Sequence, residues 1–303
     1  MFHYRAYGWQ IASALILPEI SEADGDAAPD VIIQLTDTLP SLSDALAEDP
    51  TFQLTEHQLR FHTATVGEFL ISHGRNILIR PSASSKLSVV RSYLYGSAFG
   101  ALLHQRGNLP LHGSAVVING RAVLFIGESG AGKSTLMNSF AQRGYQVLSD
   151  DIAAIYLDAQ AVPHVLPGIP RTRLWMDSLE RLGMDSAEIE PAWPFDGKYT
   201  LPLPSQASAR PAPVSHIYWL TKSDSDQWRI RSVQKSDVFT TLMGNVFRPI
   251  LLNRQTSRKS HFQQVAALAQ HARIYQITRS NNLADLPALT NHIESLAHEY
   301  SPT

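Results

Sequence analysis

A run of glycine and small polar residues near the middle of the chain has the composition of a phosphate-binding loop. It matches the pattern G-x-x-x-x-G-K-[ST] at every fixed position. The run consists of Gly127, Glu128, Ser129, Gly130, Ala131, Gly132, Lys133, Ser134 and Thr135. Its glycines allow several backbone N–H groups to point into one concavity, and the N-terminus of a following helix adds positive potential there. The pattern predicts nucleotide binding, with Lys133 on the β- and γ-phosphates and Ser134 on Mg²⁺; a degenerate loop that binds nothing is the alternative.

Two adjacent carboxylates follow this loop. Asp150 and Asp151 come directly after the apolar segment YQVLS, and only 16 residues lie between Lys133 and Asp150. That spacing allows one helix over 135–143, a stop at Gly144 and an immediate return strand. A strand that ends in acids beside a phosphate loop is the usual place for a magnesium-binding aspartate, and a second carboxylate can accept the proton of an attacking hydroxyl. The residues leave the order of these two roles open, and a helix or turn cap by one aspartate is the alternative.

His112 is the third candidate, in the segment LHGS. Its strand is expected beside the strand that precedes the loop, so the imidazole can face the γ-phosphate or the acceptor. A structural histidine is the alternative. The other histidines show no H-x-x-x-H spacing, and without cysteine a zinc site has little support.

The elements that must position these residues are predicted to form an α/β domain. Two apolar strands over 109–117 and 121–127 are joined by Asn119-Gly120, a dipeptide that suits a tight hairpin. Further along, the pattern predicts a proline-punctuated loop entering a helix over 166–177, and a long surface excursion over 191–215. It then predicts strands over 216–221 and 273–278 and helices over 236–246, 255–271 and 283–300.

Residues 1–82 are predicted to form a small β-rich domain, and residues 83–303 the domain that carries the loop. The expected strands cover 2–13, 31–36, 58–64, 67–72 and 76–80, with a hairpin loop at 73–75. A helix is expected next, capped by Ser84 or Ser85 and ended by Gly107 ahead of Pro110.

Composition excludes several classes of function. The 303 residues contain no cysteine, which excludes disulfide frameworks, thiolate metal sites and a thiol nucleophile and fits a cytoplasmic location. We expect no signal peptide and no apolar run long enough to span a bilayer. The formal net charge of -2 indicates neither a nucleic-acid nor a membrane partner.

The charge is unevenly distributed along the chain. Residues 18–50 hold nine acids and no lysine or arginine, so the remainder sums to -2 + 9 = +7. Solvated acidic loops are the plain interpretation. The alternative is that the remainder is basic because it handles phosphates.

The segment from Pro110 to Ile155 resembles the catalytic core of the bacterial HPr kinase/phosphorylases, P-loop protein kinases related in fold to phosphoenolpyruvate carboxykinase. The histidine-glycine hairpin, the G-[DE]-S-G-x-G-K-S loop and the double aspartate occur in order and at similar spacing. The resemblance implies an α/β fold of that type, ATP and Mg²⁺ as ligands, Asp150 as the base, Asp151 as the metal partner and His112 as a neighbour. HPr kinases proper assemble as oligomers, so a homo-oligomer stays open.

The same resemblance assigns basic residues to the substrate. Arg171 and Arg173 stand where the family has phosphate- or substrate-contacting residues, and Lys198 and Arg248 are weaker candidates. A second basic group could meet an acidic substrate or simply form a solvated face. This group comprises Arg248, Arg254, Arg258, Lys259 and His261.

The chain departs from that family after the double aspartate. HPr kinases carry a signature containing E-I-R-G-x-G, whereas residues 166–175 here read LPGIPRTRLW. This difference and the N-terminal region look like the HPr-kinase-related proteins found beside peptide-modification genes, which include kinases of lasso-peptide precursors. The leading hypothesis is therefore an ATP-dependent kinase for a serine of a peptide or protein substrate, such as a lasso-type precursor. The alternatives are a regulatory kinase of an HPr-like carrier protein, a small-molecule hydroxyl kinase and a nucleotide-binding regulatory module without transfer chemistry.

Overall fold

The computed structural model describes residues 1–176, 179, 197–203, 210–222, 228–252, 258–279 and 283–300. It is a mixed α/β structure with several sheets. By internal packing the chain divides into two compact units. The first is Met1–Pro110 with Arg248–Phe262, and the second is Leu111–Phe247 with Gln263–Thr303. The domain boundary after residue 82 stays a prediction, and the first compact unit extends beyond it.

The first unit is built on one long sheet. Its strands are β1 (Phe2–Ala6), β2 (Trp9–Ser13), β3 (Ser21–Glu22), β4 (Val31–Leu35), β5 (Ala47–Asp49), β6 (Phe52–Leu54), β7 (Gln58–Thr63), β8 (Gly67–Ser72) and β9 (Asn76–Pro81). They lie in the order β3-β1-β2-β4-β9-β8-β7-β6-β5. The hairpin loop predicted at 73–75 is confirmed, since β8 and β9 pair antiparallel across it.

The single strand predicted over 2–13 is wrong, because the chain turns back in the middle of it. Tyr7 and Gly8 have positive φ angles of 53° and 74°, and Phe2 pairs with Ser13 across the resulting hairpin. Apolar residues occur on both sides of the turn, so the alternating pattern hides it. The short strands β3, β5 and β6 were also missed.

The helical segment after β9 packs on this sheet. It comprises α1 (Leu87–Tyr93), a π-helical turn (Leu94–Ala98) and α2 (Phe99–Gln105). The Phe99 ring lies 6.1 Å from the Trp9 ring, centroid to centroid. The predicted serine cap is wrong, because Lys86 occupies the N-cap without a side-chain bond. The predicted stop is confirmed, with Gly107 at a φ of 75° just after the helix.

The second unit contains the loop between β11 and α3. Its strands are β10 (Leu109–Ile118), β11 (Arg121–Gly127), β12 (Gln146–Ser149), β13 (Ile152–Leu157), β14 (Pro163–Leu166), β15 (Arg171–Trp175), β16 (Lys198–Pro202), β17 (Ala212–Lys222), β18 (Arg229–Ser232) and β19 (Arg273–Arg279). The helices after α2 are α3 (Lys133–Gln142), α4 (Lys235–Gly244), α5 (Arg258–His271) and α6 (Leu286–His298). The Asn119-Gly120 hairpin is confirmed, with φ angles of 50° and 70° at its two central residues.

Strand direction brings the candidate residues to one edge. Both β11 and β12 pair antiparallel with β10, so they run in the same direction on either side of it. In turn, β17 pairs parallel with β11, and β19 pairs parallel with β17. The carboxyl ends of these four strands therefore lie at the same edge, where the glycine loop and Asp150 follow β11 and β12.

The core of the second unit holds α3 against the sheet. Leu136, Met137 and Phe140 of α3 are buried, and the Phe140 ring stacks on Phe125 of β11 with centroids 5.7 Å apart. Tyr218 of β17 continues this stack, 6.1 Å from Phe125. The start of α3, which follows the loop, is therefore fixed to the sheet by apolar packing.

Two predictions after Asp151 are wrong. The loop predicted over 166–177 contains strand β15, and the excursion predicted over 191–215 contains β16 and the start of β17. The two strands pair antiparallel, with Arg171 opposite Pro202. The prolines that suggested loops stand at or beyond the ends of the paired segments. Residues 177, 178, 191–196 and 204–209 of these predictions lie outside the described residues.

The remaining predicted elements agree with the structure to within a few residues. The strands predicted over 216–221 and 273–278 correspond to β17 and β19, and the helix over 236–246 corresponds to α4. The helix over 255–271 begins at Arg258 in the described part, since 253–257 lie outside it. Over 283–300 a 3-10 turn (Leu283–Asp285) precedes α6, which has Pro287 in its first turn. Across the described ranges no helix combines the length and the apolar character needed to cross a membrane.

Candidate functional site

The glycine loop has a backbone that L-residues adopt only with strain at its glycines. Gly127, Gly130 and Gly132 have φ angles of 141°, 78° and 95°. A Cβ on Gly127 would lie 2.4 Å from the carbonyl oxygen of Leu220 on the neighbouring strand. Glycine at this position therefore lets the loop start close against β17, which brings β11, the loop and β17 together at one edge.

Lys133 begins α3 and is only 6% exposed. Its Nζ donates hydrogen bonds to the carbonyl oxygens of Gly127 (2.8 Å) and Glu128 (2.9 Å). The ammonium group thus lies within the loop, while the side chains of Glu128 and Ser129 are exposed. The structure brings the predicted loop residues together as one turn between β11 and α3.

Asp150 receives hydrogen bonds on both carboxylate oxygens. Oδ1 accepts from Ser134 Oγ of α3 at 2.9 Å and from Ser114 Oγ of β10 at 2.6 Å. Oδ2 accepts from Thr172 Oγ1 at 2.7 Å and from the Arg173 backbone N–H at 3.3 Å. The carboxylate therefore joins β10, β15 and the start of α3 through four donors.

Thr172 is itself held by Asn138 of α3. The Asn138 amide donates to Thr172 Oγ1 at 3.0 Å and to the Ser134 carbonyl at 2.8 Å. Because Thr172 Oγ1 accepts from Asn138, its own hydrogen is directed at Asp150. Both side chains are almost fully buried, at 1% and 2% exposure.

Sequence reasoning missed these supporting residues. Ser114 follows the histidine-glycine pair that had been singled out, and Thr172 lies between two arginines that had been singled out. Asn138 carries no pattern that separates it from an ordinary helix residue. Their roles come from strands and helices that meet only in the folded chain.

Asp151 and His112 form the second part of the site. His112 Nδ1 lies 3.5 Å from Asp151 Oδ1 and 3.2 Å from the Asp151 carbonyl oxygen. Asp151 has a φ of 74°, and its carbonyl also accepts from Gly113 N at 3.2 Å. Burial lowers the pKa of His112, and the charge of Lys133 lowers it further, whereas the Asp151 carboxylate opposes that shift. The imidazole is therefore neutral at neutral pH.

The four basic residues that the sequence assigned to the substrate do not share one environment in the structure. Arg171 is buried on β15, and Arg173 contributes its backbone N–H to Asp150. Lys198 is on β16, and its side chain lies outside the described residues. Arg248 donates to Ser97 Oγ at 2.6 Å within the first unit.

The second basic group does not form a single exposed face among the described residues. Arg258 and Lys259 are exposed at the start of α5, whereas His261 is buried. His261 Nε2 donates to the Asn108 carbonyl at 2.8 Å, and Arg254 lies outside the described residues. Burial lowers the pKa of His261, so this residue adds no positive charge at neutral pH.

Two basic residues that the sequence did not single out lie against the glycine loop. Arg279, the last residue of β19, donates from Nε to the Ala131 carbonyl at 2.6 Å. Lys222, the last residue of β17, has its Nζ 3.2 Å from the point where a Cβ of residue 130 would lie. A basic residue at the end of an apolar strand was the available signal for both.

The oxygen donors at Ser134 and Asp150 fit Mg²⁺. Hydroxyl and carboxylate oxygens are its preferred protein ligands, and it is commonly bound by one or two carboxylates together with substrate phosphates and water. In the part of the chain that the structure describes, no three His, Cys, Asp or Glu side chains gather into a metal-binding group.

Comparison with known proteins finds no family model and no curated protein that matches the chain. One matching solved structure is the Hpr(Ser) kinase/phosphatase from Coxiella burnetii, at 15% identity and a TM-score of 0.27. The match covers 62% of this chain and 88% of that one. Any assignment of function to the present chain therefore depends on the contacts of its own residues.

Proposed function

We propose that the protein is an ATP- and Mg²⁺-dependent kinase that transfers the γ-phosphoryl group to a serine hydroxyl of a peptide or protein. The observation that carries the proposal is the 2.9 Å hydrogen bond from Ser134 of the glycine loop to Asp150, with a second carboxylate, Asp151, next in the chain. A nucleotide-binding module needs one carboxylate near its metal. A second one, beside His112, supports transfer chemistry.

ATP would bind through its phosphates at the loop. The first turn of an α-helix presents backbone N–H groups that can donate to an anion, and the helix dipole favours negative charge there. The ammonium of Lys133 is already inside the loop and can exchange its two carbonyl partners for phosphate oxygens. Mg²⁺, held by Ser134 and Asp150, would neutralise charge on the transferring group.

The geometry favours one division of labour between the two aspartates. Asp150 accepts a hydrogen bond from Ser134, the loop residue expected on Mg²⁺, which suits a carboxylate that organises the metal. Asp151 lies beside His112, which suits a carboxylate that accepts a proton. This order is the reverse of the one implied by the resemblance, in which Asp150 is the base. The order stays a prediction in both forms, and the variants below distinguish them.

The transfer step follows from this arrangement. The acceptor hydroxyl oxygen forms a bond to the γ-phosphorus as the bond from that phosphorus to the β,γ-bridging oxygen breaks, and ADP leaves. The hydroxyl proton passes to the carboxylate of Asp151. His112, which burial keeps neutral, lies close enough to orient that carboxylate. The remaining contribution is charge neutralisation by Lys133, the N–H groups and the metal.

A lasso-type precursor peptide with a C-terminal serine is our first choice of acceptor. The argument is the departure of residues 166–175 from the HPr kinase signature. In the structure this segment contains β15, whose Thr172 and Arg173 bind Asp150, so the divergent residues directly border the site. An HPr-like carrier protein is the second choice.

The test is phosphate transfer from γ-labelled ATP with Mg²⁺ to a serine-terminated peptide, to an HPr-like protein and to water. Asp151→Asn should lower transfer at least ~100-fold while ATP still binds, because a general base contributes roughly 10²–10⁴ in rate. Asp150→Asn should weaken Mg²⁺-dependent ATP binding. Asp237→Asn, at an exposed aspartate of α4, is the matched control and should leave both quantities unchanged.

Two outcomes would contradict the proposal. In the first, Asp151→Asn transfers phosphate at the wild-type rate, whereas Asp150→Asn still binds ATP but no longer transfers phosphate. That result would support the order implied by the resemblance, with Asp150 as the base. ATP binding by the wild-type protein without transfer to any acceptor or to water would favour a regulatory nucleotide-binding module.

A further inference from the structure

The guanidinium group of Arg279 contacts the backbone of the glycine loop. Arg279 Nε donates to the Ala131 carbonyl at 2.6 Å, and Arg279 Nη2 lies 3.5 Å from the Gly130 carbonyl. These carbonyls belong to successive peptide groups, and the planar fork of donors on arginine suits two such acceptors. Burial lowers the pKa of Arg279, but an arginine stays charged in proteins.

The position of the Ala131 carbonyl decides where the next N–H points. In a trans peptide the C=O and N–H bonds lie on opposite sides, and the described residues contain no cis peptide. With the Ala131 oxygen turned toward Arg279, the Gly132 N–H points away from Arg279. Gly132 is the N-cap of α3, so this N–H lies at the positive end of the helix, where an anion is stabilised.

The orientation of the Ala131–Gly132 peptide group needs support from a neighbouring residue. Gly132 tolerates many backbone conformations, because it has no Cβ. A rotated peptide would place a carbonyl oxygen, with its partial negative charge, where the N–H now stands. A hydrogen bond from a charged donor to the Ala131 oxygen opposes that rotation.

The glycines of the loop leave room for two cations from neighbouring strands. A Cβ on Gly132 would lie 2.7 Å from Arg279 Nη2 and 2.8 Å from its Cζ. A Cβ on Gly130 would lie 3.2 Å from Lys222 Nζ. Glycine at 132 therefore serves the approach of Arg279 as well as the turn itself.

We propose that Arg279 is a positioning residue for phosphate binding, whose guanidinium keeps the Gly132 N–H facing the bound phosphate. It acts through the backbone of the loop. The inference rests on the proposed function to the extent that the loop binds the phosphates of a nucleotide. It does not depend on phosphoryl transfer.

The experiment compares Arg279→Ala, Arg279→Lys and Arg273→Ala by calorimetric titration with tripolyphosphate and with ATP and Mg²⁺. Arg279→Ala should weaken both affinities about tenfold or more, the loss expected for a hydrogen bond from a charged donor. Arg279→Lys, which keeps the charge without the fork, should lose less. Arg273, exposed at the opposite end of β19, is the control and should bind both as the wild type does.

Chemical rescue separates positioning from a general structural role. Millimolar guanidinium should restore tripolyphosphate binding to Arg279→Ala and leave Arg273→Ala unchanged, because only the first variant has lost a guanidinium at the loop. Wild-type affinity in Arg279→Ala, or no rescue of a folded variant, would overturn the proposal. If Arg279→Ala does not fold, Arg279→Lys decides, and wild-type affinity there would likewise overturn it.

The outcomes also separate this inference from the kinase proposal. If the wild type binds tripolyphosphate, the Arg279 variants weaken it and no acceptor is phosphorylated, the kinase proposal fails and the role of Arg279 stands. If the wild type binds neither tripolyphosphate nor ATP, the role of Arg279 falls with the phosphate site.

Discussion

Two polar clusters of the second unit hold their side chains in different ways. The aspartate corner consists of Asp150 with Ser114, Ser134, Asn138 and Thr172. There, both carboxylate oxygens accept hydrogen bonds. The aromatic stack consists of His216, Tyr218, Tyr275 and Tyr300. There, within the described residues, His216 Nε2 and Tyr218 Oη make no hydrogen bond.

The stack is instead built from ring faces. His216 and Tyr218 point to the same side of β17, two residues apart, with ring centroids 5.9 Å apart and planes within 5° of parallel. Tyr275 of β19 stacks on Tyr218 at 5.6 Å, and the guanidinium of Arg273 lies over the Tyr300 ring at 5.2 Å. Buried apolar area and ring stacking stabilise the aromatic stack, whereas hydrogen bonds to a charged carboxylate stabilise the aspartate corner. The difference shows that burial alone does not fix how a polar side chain is held: hydrogen-bond donors hold Asp150, whereas ring contacts hold His216 and Tyr218.

The largest change in stability is expected for His216→Phe in the aromatic stack. Burial lowers the pKa of His216 to about 4, and the charge of Arg273 adds to the shift. The unfolded chain, with an ordinary pKa of 6.5, binds the proton first. The wild type should therefore lose stability as the pH falls from about 6.5 to about 4, by about 3 kcal/mol at about 1.4 kcal/mol per pKa unit. Phenylalanine keeps the stacking area and removes that loss.

Urea unfolding at several pH values measures this effect. His271→Gln, at an exposed histidine, is the control and should follow the wild-type curve. An identical fall in the free energy of unfolding for wild type and His216→Phe would show that His216 does not bind the destabilising proton.

An intermediate effect is expected for Thr172→Val in the aspartate corner. The substitution keeps the shape and removes the donor to Asp150, and hydrogen bonds to charged groups contribute about 2 kcal/mol. The free energy of unfolding should fall by about that amount, and phosphate transfer should fall with it. Thr172→Ser retains the hydroxyl and should recover most of both. Equal values for the valine and serine variants would mean that the hydroxyl does not support Asp150.

The smallest effect is expected for Tyr218→Phe in the aromatic stack. Burial raises the pKa of Tyr218, and its hydroxyl has no partner within the described residues. Removing an unbonded buried hydroxyl should be neutral or should stabilise the fold by up to about 1 kcal/mol. A loss greater than about 1 kcal/mol in the same unfolding measurement would reveal a hydrogen bond to this hydroxyl and weaken the contrast.

Local conformational preferences allowed the glycine loop, the hairpin before it and the strand after α3 to be predicted from the sequence. The spacing of Gly127, Gly132 and Lys133 specifies a turn into a helix, and Asn119-Gly120 specifies a tight hairpin, because both patterns depend on φ angles that few residues accept. The return strand before Asp150 followed from the short gap after α3. By contrast, Tyr7-Gly8 was missed because apolar alternation continues on both sides of the turn, and β15 was missed because prolines border it.

The sequence by itself determined the glycine loop, the paired aspartates and the strand–loop–helix order that presents them. The tertiary structure decided which groups surround them. Ser114 and Thr172 reach Asp150 from two different strands, and Asn138 of α3 holds Thr172 in place. Arg279 reaches the loop from a strand more than 130 residues later in the chain. Such contacts depend on strand order and direction, and these are set by packing of the whole sheet. A local pattern records the conformations that a segment prefers, but not which distant side chain the sheet will place beside it.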